Sequence, residues 1–375
     1  MSHSTTTLPD GPPTHTLDDE GDVLIILRNP NEPFAVYDGE SSDKEEPTPE
    51  PQADVTYRVS SKHLKIASPV FKNMLSPEWK EGKKLQESGQ VTIKAFSWDS
   101  DALLLFLSVL HCKAHEIDYQ PDLELLAQLA VIGDYYQCRK LVSFHADAWV
   151  SRLPVTSPVH VREMMLWIWV AFWFGRAALF ENYTAMVIRE SEDPVTSLGL
   201  PFPSKVIDKI NEARTSYIGR IFNALDLERH SLLNDARCSY ECCALVLGGL
   251  MKQMHDNDLL CSDALLTHDD PHSPRGLRPP QPTAPYHGFR FDDLKSLVLG
   301  FRPLQATGIK HTNSSHMPPP GPLPNPITDT YQHPFGGSFP RLDFIIHSVQ
   351  WFYDEFDDLR GLEVEGLKLA DLTCD

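Results

Sequence analysis

A chain of 375 residues can bury a full core and is long enough for two compact units. Its 33 Lys and Arg stand against 52 Asp and Glu, a formal net charge of −19 with a pI near 5.2; a surface of that sign repels phosphate backbones, and with no run of Lys or Arg, nucleic acid is not expected as a partner. The seven Cys are odd in number and no export signal precedes them, so the thiols are expected reduced, in cytoplasm or nucleus.

Residues 1–19 are polar and carry Pro9, Pro12 and Pro13, which predicts an unfolded N-terminus rather than a signal peptide or an arginine-rich presequence. The apolar run from Asp22 to Leu27, closed by Asn29-Pro30, predicts a buried strand. Phe34–Tyr37 and Val55–Val59 flank an acidic, proline-rich insertion over residues 38–54, and the two are expected to pair as a hairpin with an enlarged loop. The Asp38–Pro51 stretch of that insertion has no large apolar side chains to offset its ordering entropy. Leu64, Ala67, Phe71, Met74 and Leu75 then repeat at helical spacing, interrupted by Ser68-Pro69. An N-cap followed by proline at the first helical position predicts two helices in tandem rather than one kinked helix. Val91–Ile93 reads as a strand, and Ala102–His111, Leu123–Ile132 and Gln137–Trp149 read as helices.

The most apolar stretch, Met164–Phe174, falls short of the roughly 20 residues that span a bilayer, so no membrane is expected as a partner. Trp167, Trp169, Phe172, Trp173 and Phe174 surround this helix instead of lining one face, the pattern of a buried element rather than of a ligand pocket. Helical periodicity continues to about residue 268, through Val206, Ile210, Tyr217, Ile221 and Leu225 and then Ala244–Met251. Residues 271–340 collect roughly half of the prolines and are expected to be largely disordered, except for an island from Phe289 to Leu304 with Leu294, Leu297 and Val298 at helical spacing. Within residues 341–375, Leu342, Ile345, Ile346, Val349, Phe352, Tyr353, Phe356 and Leu359 predict a final amphipathic helix.

The segment Val59–Leu75, with Gly21–Ile26 before it and Val91–Lys94 and Leu125–Tyr136 after it, resembles the BTB/POZ domain, in the form common in fungi. Leu64, Ala67, Ser68, Pro69 and Phe71 carry the signature, and the likeness covers residues 20–153. It implies an α+β fold of short strands capped by helices, followed here by a helical domain over residues 161–268. It also implies a protein–protein interaction role, through self-association as a homodimer or through scaffold binding. Three departures stand out: Ser60 where many animal members carry His, Leu110–Ala114 in place of a Tyr-Thr-Gly helix end, and the acidic insertion. They bear on dimerisation by the family's usual surface rather than on the fold. Members that recruit cullin scaffolds carry a hydrophobic residue, any residue, then Glu after the second helix. Ser76–Gly82 places Trp79 and Glu81 at those positions, and the resemblance implies a cullin contact there. The alternative is that Trp79 packs on its own domain and Glu81 is an ordinary solvated charge.

Cys238, Cys242 and Cys243, with His230, His255 or Cys261, form the one candidate zinc set. It lacks paired Cys-x-x-Cys knuckles, and small buried hydrophobes are the stronger reading of these cysteines. No Gly-x-Ser-x-Gly elbow, local Cys–His signature or phosphate loop occurs, and Gly248-Gly249 lacks the following Lys-Ser/Thr. Thr48-Pro49, Ser157-Pro158 and Ser273-Pro274 are weak phosphorylation candidates. The sequence therefore predicts a non-enzymatic adaptor with protein partners, no cofactor, no metal and no catalytic residue. Its strongest version is a substrate adaptor of a cullin-based ubiquitin ligase; a transcriptional or structural oligomerisation scaffold is the alternative, and a metalloprotein or enzyme ranks last.

Overall fold

The structure is a computed structural model that describes residues 12–36, 52–116, 120–154, 160–234, 240–260, 286–301, 331–332, 338–339 and 357–372. The acidic stretch 38–51, most of the Pro-rich region, residues 342–356 of the expected last helix and the three Ser/Thr-Pro dipeptides lie outside these.

The chain is α+β: a small mixed sheet with helices, then a mostly helical region. Its contacts divide it into one unit of residues 1–187, 195–210 and 365–375 and another of residues 188–194 and 211–364.

In the first unit the sheet order is β1 (His15–Thr16), β3 (Val55–Val59), β2 (Val23–Arg28), β4 (Val91–Phe96). Strand β2 is central. It runs antiparallel to β3, with Val23 opposite Val59, and parallel to β4, with Val23 opposite Val91. A strand paired on both edges and covered on both faces reads as an unbroken apolar run, which is what Val23–Leu27 supplies. Strand β4 alternates instead, with Val91, Ile93 and Ala95 inward.

The expected hairpin between Phe34–Tyr37 and Val55–Val59 does not form, because β3 pairs with β2. Residues 34–36 are not a strand, and Tyr37 lies outside the described residues. Ala35 sits at φ 48°, in the left-handed region, which takes the backbone out of the extended path a strand needs. The carbonyls of Phe34 and Ala35 both accept from the Arg162 guanidinium (3.0 Å each), and Arg162 is itself held by Glu124 at 2.9 and 3.2 Å. The backbone acceptors of this segment are thus committed to a side chain.

The helix pair forms as the Ser-Pro break dictates: α1 (Ser61–Ala67) and α2 (Pro69–Met74). The Ser68 hydroxyl accepts from Phe71 N (3.1 Å), capping α2, and donates to the Tyr136 carbonyl (2.6 Å) at the far end of α5 (Leu123–Tyr135). Asp22, at the head of β2, accepts from Ser61 N (2.7 Å) and Ser61 Oγ (2.6 Å), so the sheet itself caps α1. Leu64, Phe71 and Leu75 are buried, whereas Ala67 and Met74 are half-buried. Phe71 stacks on Tyr136 (4.3 Å between centroids), and Tyr136 on Phe106 of α4 (Ser100–Leu110) at 5.4 Å.

Beyond α3 (Lys80–Ser88) and α6 (Arg139–Val150), the first unit continues into α7 (Val161–Phe174), in which every residue from Met164 onward is buried. Helix α7 packs on α5 so closely that a Cβ on Gly133 would lie 2.6 Å from the Trp173 ring. Two of its three indoles are satisfied on α5, where Trp169 donates to the Ala127 carbonyl (3.1 Å) and Trp173 to Asp134 (3.2 Å), while Trp167 Nε1 is buried with no partner among the described residues. Helix α8 spans Ala177–Glu190, and the C-terminal segment returns to it, where Leu367 N donates to Thr184 Oγ1 (2.8 Å).

Helix α9 (Ser204–Asn234) gives residues 204–210 to the first unit and the rest to the second, joined there by α10 (Tyr240–Asp256), α11 (Phe291–Leu299), the short pair β5 (Tyr331–Gln332) and β6 (Ser338–Phe339), and α12 (Asp357–Arg360). Phe291, Leu294, Val298 and Phe301 bury themselves among Ile218, Ile221, Leu225 and Leu250, so the island in the Pro-rich region is part of the second core. Among the described residues, no helix is long and apolar enough to cross a membrane.

Candidate partner-binding surface

The loop that carries Trp79 begins where α2 runs out. Leu75 N still bonds to the Phe71 carbonyl, and Ser76 N and Trp79 N close successive turns onto Asn73 O (3.0 Å) and Ser76 O (3.1 Å). Helix α3 then starts directly on this turn, because Gly82 has no side chain. A Cβ there would stand 1.8 Å from the Ser76 carbonyl oxygen, so any other residue would push α3 off its seat. Trp79 is the residue before the first helical turn. It is 58% exposed. Glu81 lies in the first turn of α3, half-buried, where the helix dipole favours a carboxylate.

Around the indole the charge differs from the chain average. Lys80, Lys83 and Lys84 are all exposed on α3, beside exposed Glu78 and half-buried Glu81, so a partner that seats Trp79 meets charges of both signs on a protein of net charge −19. Trp79 and Glu81 are two positions apart on one helix end. The signature residues Leu64, Ser68 and Phe71 are buried and fix the pair α1–α2 that leads into this turn, while Pro69 at the start of α2 is exposed and Ala67 half-buried.

Ser60 and His111 meet in the structure. Ser60 N donates to His111 Nε2 (3.0 Å), and His111 Nδ1 lies 2.8 Å from the Leu107 carbonyl. Since Nε2 is the acceptor, the proton sits on Nδ1 and the ring is neutral. Burial lowers the His111 pKa from its ordinary 6.5; the Leu107 bond opposes this, and His63 and Lys113 add to it. A histidine with a depressed folded pKa contributes stability above the unfolded value and loses it as pH falls below 6.5 toward the folded value. The first unit is therefore expected to weaken as the pH falls below about 6.5. Urea midpoints across that window should fall less steeply in His111→Gln than in the wild type.

Sequence reasoning passed over two exposed side chains of the same unit. Ile66 on α1 is 88% exposed and Phe144 on α6 is 82% exposed. The signal was present: Ile66 sits between Leu64 and Ala67, off the inward stripe, and Phe144 follows the buried Val142 by two positions. Phe144, His145 and Trp149 form a row of ring contacts at 5.5 and 5.4 Å, and partial burial lowers the His145 pKa.

Of the candidate zinc set, Cys242 and Cys243 are buried on α10, His255 is exposed, and Cys238 and Cys261 lie outside the described residues. Among the described residues, no group of three or more His, Cys, Asp or Glu is placed to hold a metal ion.

No family model, no curated protein and no solved structure matches the chain.

Proposed function

We propose that residues 20–153 act as a BTB/POZ-like interaction head and that the protein is an adaptor, with the helical remainder holding a client. The observation that carries the reading is one junction: Leu64, Ser68 and Phe71 face inward across α1 and α2, and the turn that follows presents Trp79 to solvent with Glu81 beside it. The parallel pairing of β2 with β4 and the docking of the α2 cap on the end of α5 are consistent with the same arrangement. An exposed tryptophan on a rigid turn supplies a large contact area at low entropic cost, the character of an interface hot spot. In the strongest form of the reading the head binds a cullin scaffold, and the chain performs no catalytic step.

The test is the double variant Trp79→Ala with Glu81→Ala in the full chain. Both residues are at the surface, so folding should survive, and cullin capture is expected to weaken by about 30-fold. Undiminished capture by the variant would remove this surface from the mechanism. A wild-type protein that self-associates but captures no cullin would leave the oligomerisation-scaffold reading in its place.

A further inference from the structure

We propose that a second docking site lies on the first unit, in the cleft between the 32–36 loop and α5, and that its occupant is a short partner segment presenting an aliphatic or aromatic side chain next to Lys or Arg. The cleft has a volume of about 390 Å³ and is open to solvent along one side. Val36, Trp98, Val131 and Leu198 give it an apolar lining, and Val36 is more than half exposed there.

Its walls are held in place. Arg162 fixes the 34–35 backbone as described above. Asn31 ties the base of that loop to both neighbours: its N–H donates to the Trp98 carbonyl (3.0 Å), its Oδ1 accepts from Ser100 N (2.8 Å) and its Nδ2 donates to Gln52 (3.0 Å). Ala35, Ser97 and Leu198, one from each of three lining segments, all have φ between 48° and 62°. Three left-handed non-glycine residues around one depression mean that the surrounding bonds over-determine its shape. A pre-formed seat of mixed polar and apolar lining costs its ligand little reorganisation.

Charge decides the occupant. The ionisable side chains in the lining are Glu32 and Asp99, both acidic, and no Lys, Arg or His is among them. These two carboxylates disfavour a second copy of a chain of net charge −19 as the occupant, and they draw cationic partners toward the seat. The proposal does not rest on Trp79, which lies on a different, lysine-flanked surface.

The experiment is a display selection of random dodecapeptides on the full-length protein, with fluorescence anisotropy of the enriched peptides against variants. Glu32→Lys and Val36→Asp change exposed side chains and leave the fold intact. The expected result is a consensus of one large apolar residue flanked by Lys or Arg, with affinity reduced about tenfold by either variant, reduced by added salt, and unchanged by Trp79→Ala. Failure to enrich any peptide, enrichment of sequences without a cation, or affinities unaffected by both variants would overturn the proposal. Loss of binding in Trp79→Ala would do so too, because it would place the peptides on the other surface.

Discussion

Replacing Arg214 by methionine is expected to cost the second unit about 3–5 kcal/mol, among the largest losses available from one surface-remote side chain. Arg214 is 1% exposed and has no carboxylate partner in hydrogen-bonding range among the described residues; its Nε and Nη2 bond to backbone carbonyls instead, while Nη1 is buried without a partner there. It donates to Ser191 O (3.1 Å) and to Glu192 O, and across to Tyr286 O (2.6 Å) and Phe289 O (2.9 Å). Burial pulls its pKa down, yet arginine stays protonated, so the cation joins the 191–192 segment and the 286–289 segment to α9. The surface pairs around it, Glu192 with Arg290 and Asp193 with His287, are exposed and contribute little by comparison. Methionine fills much of the volume but orphans four carbonyls. Hydrogen exchange should then show α11 amides opening in Arg214→Met while α5 keeps its protection, and Arg214→Lys should recover less than half of the loss, since an ammonium lacks the guanidinium fork. Unchanged α11 protection would show that apolar packing alone holds the segment.

Phe71→Ala is expected to destabilise the first unit by about 3–5 kcal/mol, against about 1 kcal/mol for Phe71→Leu. The ring is fully buried and stacked on Tyr136, so truncation empties a space bounded by three elements: α2, α4 and the end of α5. Its loss also acts on a nearby thiol. Burial pushes Cys138 up to about 11, and its Sγ lies 3.4 Å from the Ala67 carbonyl, so in the intact protein it is poorly reactive. Mass spectrometry of the Cys138 peptide after brief alkylation at neutral pH should show faster labelling in Phe71→Ala. A urea midpoint and a Cys138 labelling rate both matching the wild type would mean that the α1–α2 pair is not anchored by this ring.

What the sequence disclosed follows from which interactions are local. The Ser68-Pro69 break, the buried run at β2 and the all-apolar α7 are each written in a few consecutive residues, and each appears where the pattern put it. The mispairing of Phe34–Tyr37 with β3 shows the limit. Two short apolar segments either side of an insertion look like a hairpin, but the acceptor that claims the Phe34 and Ala35 carbonyls is Arg162, well over a hundred residues away. The same holds at Ser60, whose partner His111 is supplied by the end of α4. Trp79 could be nominated from sequence, but the seat of the helix that follows it depends on Gly82 lying against Ser76, a close approach that spacing does not encode.

Strands β2 and β3 are neighbours in the sheet, yet residues 29–54 separate them. Compared with a four-residue turn, closing that span costs about 1.5 kcal/mol of chain entropy, and the parallel partner β4 is further away still. Helices with local contacts are therefore expected to condense first, with the sheet assembling on them late. During that interval Val23–Leu27 is a bare β-prone segment of the kind that seeds aggregates. The sequence brackets it with Asp18, Asp19, Glu20 and Asp22 on one side and Arg28 on the other, charges that act as gatekeepers on the nascent chain before any of them has a structural task.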